Sequence, residues 1–154
     1  NLSEINADSW DAVLETNLRS IHLVMRAALP ALEKSENASV VNVVSIEGHQ
    51  PARGHSHYST SKAGLLMLTK SAALEYADLG IRVNSVSPGL IDDGNLKDRW
   101  PEGIDRWLDS APLSRVGTPE DIAGAVVFLS SSLAQWITGS DLLVDGGIST
   151  NATW

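Results

Sequence analysis

The first third of the chain changes from a helical to a strand-like pattern of apolar residues. Between Ser9 and Leu32, apolar side chains recur every three or four positions, which predicts an amphipathic helix with Asp8 or Ser9 as its N-cap. Residues 39–45 (SVVNVVS) form instead a short, nearly continuous β-branched run. That pattern predicts a strand buried on both faces.

The rest of the chain continues the alternation of helices and strands. A loop rich in Gly, Pro and His separates the first strand from a helix that begins at Tyr58 and ends at Gly80. The remaining predicted elements are a strand at 81–89, an irregular excursion with short helices at 90–117, a helix with Thr118 as N-cap, and a short strand at 139–147. We therefore expect one α/β domain over residues 1–154, a doubly wound parallel sheet with crossover helices.

Composition narrows the class of protein. Nineteen acidic and eleven basic residues give a net charge of -8, which disfavours nucleic acid and anionic membranes as partners. The chain has no cysteine, so disulfides, cysteine-bound metals and a thiol nucleophile are excluded. No signal-peptide pattern opens the sequence and its apolar runs are too short to span a bilayer, so we expect a soluble protein of the cytoplasm.

Tyr58 and Lys62 are the first candidates for chemistry. A spacing of four places the phenol and the ammonium on the same face of a helix, one turn apart. A positive charge beside a phenol stabilises the phenolate, which assists proton transfer. Taken alone, the pair could equally be two surface residues. Ser45 and the Pro88–Gly89 turn end neighbouring strands, and ligands of such sheets bind beyond the carboxyl ends of the strands.

Five short segments together resemble the classical branch of the short-chain dehydrogenase/reductase family: TNL, VNVVSIEG, YSTSK, SPG and VDGG, in the family's order and spacing. The resemblance implies a Rossmann-like fold and interconversion of a secondary alcohol and a ketone with NAD or NADP. It implies that Tyr58 is the general acid/base, that Lys62 is its electrostatic partner and that Ser45 holds the substrate oxygen. Asn17 would hold, through its main chain, a water that relays protons from the lysine.

The resemblance also implies cofactor contacts and partners. The residues expected to contact the cofactor are Tyr58, Lys62, Pro88, Gly89 and Ile91. The family often has threonine where this chain has Asp93, and an ionised carboxylate cannot donate the corresponding hydrogen bond. The expected partners are a small alcohol or ketone and copies of the same chain, in a homodimer or homotetramer built through the two long helices and the last strand.

A glycine-rich turn that would bind a dinucleotide pyrophosphate is missing from the sequence. The twelve glycines form neither G-x-G-x-x-G nor the family's T-G-x-x-x-G-x-G. The resemblance therefore covers the carboxy-terminal part of the family's subunit, without its N-terminal strands, and leaves strand 39–45 as an exposed sheet edge. Either the chain is a fragment of a longer subunit, or it is a natural truncation whose edge another chain covers. The second explanation allows an alternative function, a catalytically silent oligomerising or binding module.

Several further residues near the expected site allow more than one interpretation. His49, His55 and His57 precede Tyr58, but no further ligand completes a metal site, so we expect no metal and assign them to loop polarity or substrate contact. Glu47 is predicted to be a solvated loop acid. Trp100 and Trp107 lie in the excursion after the nicotinamide segment, which forms a mobile lid over the substrate in the family. The two tryptophans could form an apolar wall there or pack the lid onto the body.

Overall fold

Three parallel strands form the centre of the fold. The computed structural model describes residues 1–150. Strands β1 (Ser39–Val43), β2 (Arg82–Pro88) and β3 (Asp141–Val144) lie in the order β1-β2-β3. Their register pairs Val43 with Val86 and Val86 with Leu142. The strands thus follow one another in space as they do in sequence, as right-handed crossover connections through helices allow.

Within residues 1–150, the chain also forms six α-helices. They are α1 (Ala7–Leu14), α2 (Ser20–Leu32), α3 (Ser56–Glu75), α4 (Leu96–Arg99), α5 (Pro101–Ser110) and α6 (Pro119–Ser130). The predicted α/β doubly wound, Rossmann-like sheet with crossover helices is confirmed. None of the helices within residues 1–150 combines the length and the apolar character that crossing a bilayer would require.

The first predicted helix is interrupted. It begins at Ala7, where the Asn6 side chain accepts a hydrogen bond of 2.8 Å from the Ser9 amide, so the expected N-cap at Asp8 or Ser9 was wrong by two or three positions. A π-helical turn, Glu15–Arg19, separates α1 from α2 and contains Asn17. The three- to four-residue apolar spacing of this region is that of an uninterrupted α-helix, so the sequence pattern did not predict the π-helical turn.

Burial differs between β1 and β2. Six successive residues of β2, from Arg82 to Ser87, are buried, whereas β1 is mostly half-buried and Val43 is 50% exposed. The prediction that strand 39–45 is buried on both faces was therefore wrong. Within residues 1–150, β1 pairs only with β2 and forms one edge of the sheet, as the sequence also predicted.

Helices cover both faces of β2. Val83 joins the apolar core that α2 and α3 form with Met25, Ala72 and Ala73. The side chain of Arg82 points to the opposite face, because neighbouring residues of a strand alternate. Its guanidinium donates to the main-chain oxygens of Leu129, at 2.7 Å, and Ser131, at 3.3 Å, at the end of α6. Arg82 thus satisfies the Leu129 carbonyl, one of the groups that a helix terminus leaves without an intrahelical partner, and adds a second donor to the Ser131 carbonyl, which also accepts from the Ala134 amide.

The buried Arg82 predicts a stability effect. In Arg82→Met, two carbonyl groups at the end of α6 lose their charged donor in a largely buried setting. We expect the free energy of unfolding, measured by urea denaturation, to fall by about 2 kcal/mol. Arg53→Met changes an exposed arginine and serves as the control. Equal stability of the two variants would contradict the capping role.

Candidate active site

Tyr58 and Lys62 lie in the first turns of α3, beside the carboxyl end of β1. The Lys62 ammonium donates to the main-chain oxygen of Val43 at 3.1 Å and lies 5.6 Å from the centre of the Tyr58 ring. Both side chains are half-buried. Burial lowers the pKa of the Lys62 ammonium below the ordinary value of 10.5. The predicted phenol–ammonium pair is therefore present on one helix face.

Ser45 lies at the same end of the sheet. It is the N-cap of a 3₁₀ turn, Ile46–Gly48, and its hydroxyl oxygen accepts a hydrogen bond of 3.1 Å from the Glu47 amide. This turn packs against α3 so closely that a Cβ atom on Gly48 would lie 3.1 Å from the Lys62 carbonyl oxygen. Because Ser45 accepts in this bond, its own proton is still available to donate.

The strand register brings Ser45 next to the segment predicted to line the nicotinamide. Val43 pairs with Val86, and the Val44 amide still donates to the Val86 oxygen at 2.8 Å. Continuing the register by two residues places Ser45 level with Pro88, and adjacent strands lie about 4.8 Å apart. Ser45 and Pro88 therefore lie side by side at the carboxyl ends of β1 and β2. Tyr58 and Lys62 lie at the same end of the sheet, because Lys62 is bonded to Val43.

Glu47 holds the loop after β1 onto the start of α3. Its carboxylate contacts His55 Nδ1 at 3.0 Å and accepts a hydrogen bond of 3.0 Å from the buried Ser59 hydroxyl. The expectation of a solvated loop acid was therefore wrong. Ser59 is buried and follows Tyr58 directly in α3. Its contact with Glu47, 12 positions earlier, depends on the path of the loop between them. The Tyr58 amide, in turn, donates to His57 Nδ1 at 2.9 Å.

His49 connects the same loop to the sheet. Its Nε2 atom lies 2.8 Å from an Asp141 carboxylate oxygen and 3.4 Å from the Ser87 hydroxyl. The Ser85 hydroxyl bonds the second Asp141 oxygen. In the part of the chain that the structure describes, no three side chains of His, Cys, Asp or Glu are grouped so that they could hold a metal ion.

Asn17 reaches this site from the π-helical turn. Its amide nitrogen donates to the Ser61 hydroxyl at 3.1 Å, and that hydroxyl donates to the main-chain oxygen of Tyr58 at 2.7 Å. Ser61 is fully buried. Ser61 was not among the residues predicted from the sequence, although it lies inside the YSTSK segment. The distinguishing signal is its helical position, one residue before Lys62 and three after Tyr58.

The turn after β2 packs tightly beneath the excursion at 90–117. The Gly89 amide donates to the Val144 oxygen at 3.0 Å, and a Cβ atom on Gly89 would lie 2.6 Å from the Trp107 ring. Ile91 forms an isolated parallel bridge with Gly117 and packs against it. Gly89 is therefore required for close packing with Trp107, a contact that sequence reasoning did not identify.

The two tryptophans of the excursion have different neighbours. Trp107 packs on Gly89, donates from Nε1 to the Arg115 oxygen at 3.1 Å, and also lines a cavity of about 530 Å³. Trp107 therefore both packs this segment onto the body and forms an apolar wall. Trp100 lies over Gly103, within the excursion itself.

Asp93 also contacts the excursion. Its carboxylate accepts a hydrogen bond of 2.7 Å from the Arg99 guanidinium. The acidic residue at this position thus joins the turn after β2 to the short helix α4.

Similarity to known proteins agrees with this arrangement. The family model described as enoyl-(acyl carrier protein) reductase matches residues 1–149. The 3-oxoacyl-(acyl-carrier-protein) reductase FabG of Chlamydia muridarum is 38% identical over 147 residues, which cover 96% of this chain and 59% of that protein.

Two solved structures have the same fold at similar identity. An oxidoreductase of the short-chain dehydrogenase/reductase family from Burkholderia thailandensis is 34% identical with a TM-score of 0.91, covering 98% of this chain and 60% of that one. A short-chain oxidoreductase from Pseudomonas aeruginosa PAO1, solved with NADPH bound, is 33% identical with a TM-score of 0.88, covering 97% and 61%. The chain thus spans about three fifths of the length of these relatives. With its parallel sheet and its family match over residues 1–149, the chain belongs to the short-chain dehydrogenase/reductase family.

Proposed function

We propose that this protein is an NAD(P)-dependent oxidoreductase that interconverts a secondary alcohol and a ketone. The observation that carries the proposal is the position of Lys62, whose half-buried ammonium lies beside the Tyr58 ring at the carboxyl end of β1. Ser45 lies at the same strand end, with a proton available to donate. Family membership supports oxidoreduction in general, and these three side chains support the alcohol–ketone chemistry.

Tyr58 transfers the proton in this reaction. During oxidation, its phenolate oxygen takes the proton from the alcohol hydroxyl; during reduction, its phenol returns a proton to the developing alkoxide. Lys62 stabilises the phenolate by its charge, and Ser45 donates a hydrogen bond to the substrate oxygen. NAD or NADP, when bound, accepts or supplies the hydride on the carbon that bears this oxygen.

The residues of this chain fit the nicotinamide and ribose end of such a cofactor. Lys62 has three donor hydrogens and uses one on the Val43 oxygen, which leaves two for hydroxyl groups of a ribose. Pro88, Gly89 and Ile91 would lie along the nicotinamide. Gly89 packs against the Trp107 ring and the Asp145 main chain. These contacts hold the backbone of the turn in one position.

Asn17 is proposed to hold the water that connects Lys62 to solvent. The π-helical turn around Asn17 supports this role, because such turns shift the helical hydrogen-bond pattern and occur frequently at functional sites. The Asn17 side chain is already bonded to Ser61, so the water would be held by its main-chain oxygen.

We further propose that the protein assembles with copies of itself. Large apolar side chains are exposed on α2 and α3 and on the surface formed by α6, the turn after it and β3; they are Leu23, Val24, Met67, Leu74, Val127, Phe128, Leu133, Trp136, Leu142 and Leu143. Trp136 is 99% exposed and Leu133 is 81% exposed. Exposed apolar side chains that lie near one another are typical of protein–protein interfaces. The net charge of -8 disfavours an anionic membrane as the partner of these surfaces.

Tyr58→Phe tests the proposed reaction. Loss of the phenolic oxygen removes the proton carrier, so we expect kcat for NAD(P)-dependent alcohol oxidation to fall by about 10²- to 10⁴-fold, with unchanged thermal stability. Tyr76→Phe removes the same hydroxyl at the end of α3 and is the matched control. Activity is measured from the absorbance of the reduced nicotinamide with a panel of secondary alcohols.

Three results would contradict the proposal. Equal turnover by the Tyr58→Phe variant and the wild-type protein would remove Tyr58 from the chemistry. Turnover with a primary amine or thioester, but with no alcohol or ketone, would change the substrate class. A wild-type protein that binds neither NAD nor NADP in calorimetry would favour the catalytically silent module instead.

The buried charge of Lys62 predicts a pH dependence of stability. Because its pKa is lowered in the folded protein, the unfolded chain binds more protons between that lowered pKa and the ordinary value of 10.5. The free energy of unfolding should therefore rise with pH across this window, relative to Lys62→Met. Lys70→Met, at an exposed position on α3, is the control and should show no such difference. A relative stability that falls with pH would overturn the assignment.

Leu133→Asp tests the proposed self-association. A carboxylate on the exposed surface after α6 would be buried without a partner in the assembly, so we expect sedimentation to show a smaller species. Leu74→Asp tests the α3 surface in the same way. Leu2→Asp changes an exposed leucine outside both surfaces and should leave the sedimentation unchanged. A wild-type protein that sediments as a monomer would refute self-association.

A further inference from the structure

The buried hydroxyl of Ser61 joins two parts of the candidate site. It donates to the main-chain oxygen of Tyr58, at 2.7 Å, and accepts from the side-chain nitrogen Nδ2 of Asn17, at 3.1 Å. Its side chain is 0% exposed, so water does not compete for these bonds. One hydroxyl thereby links the helix turn that carries the proton carrier to the π-helical turn.

A second contact presses the π-helical turn against α3. A Cβ atom on Gly64 would lie 2.9 Å from the Cδ2 methyl of Leu18, so the glycine lets Leu18 pack closely onto α3. Leu18 and Asn17 are neighbours in the π-helical turn, and Gly64 and Ser61 lie on the same face of α3, three residues apart. The apolar contact sets the distance between the two elements, and the Ser61 bond sets the rotation of Asn17.

We propose that Ser61 is a positioning residue for proton transfer, acting through Asn17. Ser61 does not touch the substrate oxygen itself. It holds the Asn17 side chain, and with it the main-chain oxygen that faces the proposed water, at a fixed position relative to Tyr58 and Lys62. This inference rests on the proposed oxidoreductase function and adds a residue that the family resemblance did not supply.

The same helix contains a matched control for this role. Two turns later on α3, the buried Thr69 hydroxyl donates to the Leu65 main-chain oxygen at 2.8 Å. It accepts from the side-chain amide nitrogen of Asn42 at 2.9 Å. Thr69 is 1% exposed. It therefore has the same pattern of bonds and the same burial as Ser61, but it contacts β1 in the core rather than the π-helical turn.

The experiment compares loss of each hydroxyl. Ser61→Ala and Thr69→Val remove one hydroxyl each and should lower the melting temperature similarly. In the protein with its cofactor, we expect Ser61→Ala alone to lower kcat by about 10- to 100-fold, with KM unchanged and with a shifted pH profile of kcat. Ser61→Cys keeps a side chain of similar volume but weakens both hydrogen bonds, so it should show the same change to a smaller extent. It replaces Ser61→Ala in the experiment if that variant does not fold.

A double-mutant cycle tests whether Ser61 acts through Asn17. If it does, Asn17→Ala with Ser61→Ala should lose no more activity than Asn17→Ala alone. Additive losses would overturn the proposal, as would a Ser61→Ala or Ser61→Cys variant that keeps the wild-type kcat and pH profile. Equal loss of kcat in Thr69→Val would also overturn it, because the effect would then be one of stability.

Hydrogen exchange separates this inference from the proposed function. Amides of residues 15–19 should exchange faster in Ser61→Ala than in Thr69→Val, whether or not the protein turns over an alcohol. If the wild-type protein lacks activity but this difference appears, the oxidoreductase proposal fails and the link between Ser61 and the π-helical turn stands. If wild-type activity is present and the exchange rates are equal, Ser61 does not position Asn17.

Discussion

The hydrogen bond between the Lys62 ammonium and the Val43 main-chain oxygen fixes the geometry on which the candidate site depends. It joins the first turns of α3 to the carboxyl end of β1 and keeps a half-buried charge close to the Tyr58 ring. Burial alone would favour a neutral amine, as the lowered pKa of Lys62 shows. The Val43 peptide oxygen therefore replaces part of the hydration that the Lys62 ammonium loses on burial.

Much of the fold could be predicted from sequence because its local signals are independent of tertiary context. The Thr118 cap marks the start of α6 by backbone chemistry that acts over a few residues. The helix predicted to end at Gly80 ends earlier, because α3 spans Ser56–Glu75 and Gly80, at φ 70°, ends the 3₁₀ turn Ala77–Leu79 that follows it. Burial of the strands was harder to predict. β1 is richer in valine than β2, yet its position at the sheet edge leaves Val43 half exposed, whereas the central position of β2 buries Val86 fully.

The contact between Tyr58 and Lys62 was predictable because two residues four positions apart share one face of a helix. The candidate site was not predictable where distant residues meet. Glu47 could not be distinguished from a solvated acid until the loop brought it to His55 and Ser59, and Ser61 gained its significance from Asn17, which lies 44 positions earlier in the chain. Such contacts depend on the loop path and on the packing of helices, and no short-range pattern encodes either.

The orientation of Val43 connects the candidate site to the outer edge of the sheet. Because the Val44 amide points to β2, the peptide groups of Val43 point the other way, toward the open side of β1. A strand that pairs there would share with Lys62 the same carbonyl oxygen. One carbonyl oxygen then lies between the candidate site and the sheet edge, and any coupling through it between a ligand on Lys62 and a strand on that edge would be reciprocal.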